Sequence, residues 1–157
     1  MRKSDIGLLV LRVGAGGILA AHGAPKLFGG AERVPPSWLA RLMGSNYKQA
    51  WAQSGPENFA AVLTKMGVPE PALAARLSGV AELGGGLALA AGAATPLSAA
   101  VIAANMSVAI RKAHWKVGIY GQGGYELALS LGLAAVAVGL TGPGAVSVDG
   151  LFGKGRR

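Results

Sequence analysis

IGLLVLRVGAGGILAAHGAPKLFGG, residues 6–30, decides the fold of this chain. The stretch is too long and too apolar for an ordinary surface helix, and only Arg12, His22 and Lys26 interrupt it. A helix needs about 20 mostly apolar residues to cross the hydrocarbon core of a bilayer. Charge inside such a span is costly and marks a functional or structural site by default. The partners that other segments offer these three residues therefore decide where such a site lies. Gly14, Gly16, Gly17 and Gly23 give the helix a small-residue face that lets a neighbouring backbone come close. Arg2 and Lys3 ahead of the run, with small residues at 21–24, imitate a secretory signal. The segment reads as a retained membrane span.

Composition extends that reading to the whole chain. Of its 157 residues, 52% are hydrophobic and 14% charged, and mean hydropathy is +0.44. Soluble domains carry about 25% charge. The 26 glycines suit membrane helices better than soluble ones. One integral membrane domain is expected. The formal charge of +8 comes from Lys and Arg placed almost entirely between apolar spans, with no basic run interleaved with aromatics. The partner this implies is the anionic headgroups of membrane lipids, not nucleic acid. The absence of cysteine excludes disulfides, thiolate metal sites and dithiol chemistry by this chain alone.

Taken in order, the chain predicts an all-α fold. It is a four-transmembrane-helix bundle with spans at about 6–28, 73–94, 97–114 and 125–141. An interfacial segment at 35–68 separates the first two. Within 31–55, Trp38, Leu39, Leu42 and Met43 have helical spacing. A short amphipathic helix and a loop anchored by Trp38, Tyr47 and Trp51 both fit. Ser54 and Glu57 read as a capping box. It would open a helix carrying Phe59, Val62, Leu63 and Met66 on one face, ended by Gly67 and Pro69. That helix is too short to span a bilayer, so the first loop holds a short interfacial helix or a helical hairpin. Thr95-Pro96 leaves so tight a turn that spans two and three must be antiparallel neighbours. Arg111, Lys112, Lys116 and Trp115 read as interfacial anchors after the third span.

These residues resemble the DoxX family. The likeness is carried by His22-Gly23-x-x-Lys26-Leu27-Phe28-Gly29, by Leu63-x-x-Met66-Gly67-x-Pro69-x-Pro71, and by Glu82-Leu83-Gly84-Gly85-Gly86. His114 with the Gly-Gly-Tyr125-Glu126 entry to the last span, and Gly142-Pro143-Gly144 with Ser147-x-Asp149, continue it to the C-terminal end. Residues 31–55 look longer than the usual first loop and suggest an added contact surface. The resemblance implies a multi-pass protein of the bacterial or archaeal inner membrane. Relatives include the membrane subunit of a thiosulfate:quinone oxidoreductase, and others are associated with membrane redox and oxidative-stress assemblies. The implied role is a membrane subunit with a redox protein partner, not an enzyme on its own. The alternatives are a quinone-reducing subunit of an oxidoreductase and, third, a small-solute transporter.

Depth along the spans sorts the polar residues. His22, Lys26, Glu82, His114, Tyr125 and Glu126 all fall near the membrane face that carries the long loop, and His22 and Lys26 share a helix face at i, i+4. Arg12 lies near the opposite face. Counting inward from Thr95-Pro96, Asn105 reaches a comparable depth, so an Arg12–Asn105 structural pair is expected. Buried charges of this kind fix helix register, and Glu82 with Lys26 or His22 is open to that reading. The functional reading is a quinone headgroup site, in which His and Glu relay protons and Lys or Tyr donates. A haem between His22 and His114 is geometrically open, but both histidines stand in motifs with other neighbours, and none is expected. No metal is expected either, because two histidines and scattered carboxylates lack ligand spacing. Any electron donor must sit on a partner, since the chain has no cysteine, flavin motif or iron–sulfur pattern.

Overall fold

The computed structural model describes residues 2–153. Within them every regular element is helical. Helix α1 runs Lys3–Phe28, α2 Ser37–Met43, α3 Ser45–Gln53, α4 Pro56–Lys65, α5 Pro71–Ala91, α6 Thr95–Ala109, α7 Glu126–Thr141 and α8 Val148–Leu151. A π-helical turn, Ile110–His114, prolongs α6.

Helix α1 passes through Pro25 and stops only at Gly29. Proline has no N–H, so the carbonyl four residues earlier, on Ala21, loses its helical partner. The Tyr47 hydroxyl donates to that carbonyl oxygen at 3.0 Å. This bond ties α3 to α1, and the stretch 31–55, open between helix and loop in the sequence, holds α2 and α3. The capping box expected at Ser54 is not formed. Gly55, at φ +113°, is the N-cap and Pro56 the first helical residue. A side chain on Gly55 would strike the Gly29 carbonyl, so the chain uses the one residue that permits both the angle and the approach.

Helix α1 packs antiparallel on α5 with almost no side chains between the backbones. A methyl on Gly16 would collide with the Gly86 carbonyl and Ala90, and one on Gly23 with the backbones of Glu82 and Leu83. Helix α5 ends at left-handed Gly92 (φ +65°), and the chain turns straight into α6. Helix α6 packs on α7, where Gly139 meets Ala99 and Gly132 meets Met106. Leu19, Leu89, Ile102, Leu131, Ala135 and Val138 fill the space between these four helices.

The outside is as apolar as the inside. Val10, Leu87, Leu97 and Leu140 are 67%, 56%, 66% and 84% exposed. Helices α1 and α5 are long and apolar enough to cross a membrane, yet only 28% and 33% of their apolar windows are buried within the chain. Outward-facing leucine and valine at this density calls for a lipid solvent. Helix α7 is apolar but shorter, at 16 residues.

Candidate functional site

The α1–α5 register sets the site. Because Gly16 faces Gly86 and Gly23 faces Glu82, the last turn of α1 brings Lys26 beside Glu82. Lys26 Nζ donates to Glu82 Oε1 at 2.6 Å and stands 4.6 Å from the centre of the Phe59 ring on α4. Asn105 Nδ2 donates to the same carboxylate oxygen at 3.3 Å. Glu82 is 5% exposed, and its other oxygen, Oε2, is buried without a hydrogen-bond partner. A buried acceptor left unpaired costs about 1–3 kcal/mol.

Two cavities meet at this node. A chamber of about 230 Å³ is lined by His22, Lys26, Glu82 and His114, with Leu19, Met106 and Leu131 among its apolar walls. An apolar cavity of about 490 Å³ lies between α4, α5 and α6, lined by Phe59, Leu63, Met66, Leu77 and Val108. Lys26 and His114 border both. The π turn ends at His114, whose Nδ1 lies 2.8 Å from the Gly123 carbonyl oxygen. Insertions of this kind within α-helices recur at functional sites. His22 also borders a groove of about 530 Å³ between α1 and α3.

Four of the six expected site residues thus share one chamber. Tyr125 and Glu126 do not line it. Gly124, Leu127, Ala128 and Leu131 do, at the spacing of a single helix face, and that face turns the two intervening residues away. Tyr125 instead stacks on Trp115, with ring centres 5.8 Å apart and planes 13° apart, and Glu126 is exposed.

The Arg12–Asn105 pair is not made. Arg12, 1% exposed, donates from Nε to the Pro143 carbonyl at 3.0 Å and from Nη1 to the Ala90 carbonyl at 2.6 Å. The Ala90 carbonyl is one that the end of α5 leaves unpaired, and Pro143 lies just past the end of α7. Asn105 is level with Glu82 instead, because the two are nearly equidistant from the α5–α6 turn: nine residues before Ala91 and ten after Thr95.

Three contributors carried signals that the sequence reading did not use. Pro25 implied an unpaired Ala21 carbonyl, and hence a donor such as Tyr47. Phe59 sat on the apolar face of α4. Asp149 stood in a motif with no role attached. Its carboxylate accepts from the backbone N–H groups of Ala94 (3.0 Å) and Thr95 (2.8 Å) and caps α6 from across the chain. Ala94 is held there at φ +44°, a strained angle for a residue with a side chain.

Among the described residues no group of three or more His, Cys, Asp or Glu is placed to hold a metal ion. No curated protein and no solved structure matches the chain. The sequence model of one family, DoxX, matches residues 7–115, from the first turns of α1 past the π turn, and so takes in His22, Lys26, Glu82, Asn105 and His114. A match over more than half of the length, on a chain with two exposed apolar helices of membrane-crossing length, places this protein in the DoxX family of membrane proteins.

Proposed function

We propose that the protein is a four-span inner-membrane subunit of a redox assembly and that it holds an isoprenoid quinone at the Lys26–Glu82–Asn105 node. The headgroup occupies the chamber and the chain lies in the apolar cavity between α4, α5 and α6. One observation carries the reading: a buried, half-satisfied carboxylate lines a small chamber whose Lys26 and His114 also border a larger apolar cavity. Ligand sites combine mostly apolar walls with a few converging polar groups in this way. Lys26 and Asn105 hold the carboxylate in place, and His22 and His114 are the chamber's titratable neighbours. Spans three and four are α6 with its π turn, and α7. Their shortness is met by local thinning of the bilayer and by the cationic and aromatic residues at 111–116.

Saturable binding of a short-chain isoprenoid benzoquinone to the protein in lipid nanodiscs tests the reading. Lys26→Met, which removes the charge partner, and Leu63→Trp, which fills the apolar cavity, should each weaken binding about tenfold or more. Unsaturable binding, or binding indifferent to both changes, would remove the quinone from the proposal. Membership of an assembly is tested separately. Deleting the gene should alter the size or composition of membrane redox complexes resolved in mild detergent.

A further inference from the structure

The chamber's ion pair leaves one carboxylate oxygen unfilled, beside His22, whose ring offers both a donor and an acceptor. Glu82 Oε1 accepts from both Lys26 and Asn105, while Oε2 accepts from nothing. His114 Nδ1 lies 2.8 Å from the Gly123 carbonyl oxygen. A carbonyl only accepts, so that nitrogen carries the hydrogen and Nε2 is the ring position left open. Lys26 is a donor, and its ammonium is engaged by Glu82 and by the face of Phe59. The paired charges cancel, and most of the remaining wall is apolar, so nothing here asks for an ionic ligand.

We propose that the chamber selects the reduced, hydroxyl-bearing form of its quinone: an O–H, not a carbonyl, of the headgroup meets Glu82. This rests on reading the chamber as a quinone headgroup site and adds the redox state it prefers. A hydroxyl donates to the carboxylate and accepts from Lys26 through the same oxygen, so both protein groups are satisfied. A quinone carbonyl accepts from Lys26 but leaves Oε2 unfilled and sets its own lone pairs against the carboxylate. Sites built to bond a hydroxyl reject analogues that lack it, because their buried polar groups are then stranded. His114 Nε2, an acceptor in any neutral ring whose Nδ1 carries the hydrogen, adds a second polar position on the same chamber, which suits a ring bearing a hydroxyl at each end.

The test uses the full-length protein in phosphatidylcholine nanodiscs and three probes with the same ring and short isoprenoid chain. These are the benzoquinone, the quinol kept reduced without oxygen, and the quinol's dimethyl ether, which has no O–H to give. Equilibrium dialysis reads the bound fraction. The quinol should bind about tenfold or more tightly than either other probe, as a hydrogen bond to a charged group implies. In Glu82→Gln the advantage should shrink to about twofold or less. Equal affinities, a tighter quinone, or a dimethyl ether that matches the quinol would overturn the selectivity and leave the headgroup site standing. Absence of saturable binding by all three would overturn both. The wild-type comparison needs no substitution, so it decides the matter even if Glu82→Gln does not fold.

Discussion

Lys26 and Glu82 form one ion pair but are not equally exposed. The Lys26 side chain is 22% exposed and that of Glu82 6%. The stem of a lysine can carry its charge toward the interface when its partner is lost, whereas Glu82 has no such exit. Lys26→Met should therefore cost about 3–5 kcal/mol, because it strands a buried carboxylate. Glu82→Gln should cost about 1.5–3 kcal/mol, the value of one hydrogen bond to a charged group. The double variant should be no less stable than Lys26→Met alone. Melting temperatures of the three purified proteins in one detergent check the order. Tyr47 offers a pH test. Burial pushes its hydroxyl pKa above the ordinary tyrosine value. A raised pKa in the folded state means its contribution is fully present below the unfolded pKa and is lost only as pH rises through the folded one. Attachment of α3 to α1 should thus be flat from about pH 6 to 9 and weaken above about pH 10. Tyr47→Phe should show the weakened attachment at every pH, read as faster hydrogen exchange across residues 45–53.

At the scale of the helices, the crossing of α1 and α5 depends on which glycines face inward. Gly16 and Gly17 are neighbours in sequence and opposite in environment. A methyl on Gly16 meets the α5 backbone, and one on Gly17 meets nothing within 4 Å. Gly16→Ala should destabilise by about 1–3 kcal/mol through overpacking. Gly17→Ala should be neutral or stabilising by up to about 1 kcal/mol, since alanine is the better helix former. Thermal unfolding of the pair gives the sign of each change. The same close approach puts Lys26 within reach of Glu82, so Gly16→Ala should also weaken the proposed quinone binding, though it touches neither cavity.

For the whole molecule, the first turns of α1 and the segment from 143 to 149 gather at the α5–α6 turn. Asp5 accepts from the Ala145 N–H at 3.2 Å, Arg12 binds Pro143, and Asp149 caps α6. If all four long helices cross the bilayer, this end of the bundle lies on one side and the segment from 31 to 70, with the loop from 115 to 125, on the other. The chain has no cysteine, so single-cysteine variants report sidedness without background. Ser4→Cys, Ala94→Cys and Phe152→Cys should react with a membrane-impermeant thiol reagent from one face. Gln53→Cys and Gln122→Cys should react from the other. A split within either set would break the four-span topology.

What the sequence by itself determined was the solvent and the cast of polar residues. An apolar run as long as residues 6–30, with so few charges elsewhere, has no stable home in water. Arg12, His22, Lys26 and Glu82 stand out because charge is rare in such spans. Partnership was a matter of register, which depends on which helix faces touch. Asn105 went to Glu82 because an antiparallel hairpin pairs residues equidistant from its turn. Arg12 went to the Ala90 carbonyl because the unpaired end of α5 lies within its reach, and to Pro143 because the segment after α7 packs beside it. Tyr125 and Glu126 shared the right depth but the wrong face, and depth along a helix says nothing about rotation around it. Only the packed backbones, brought together by Gly16, Gly23 and Gly86, decided which side chains meet.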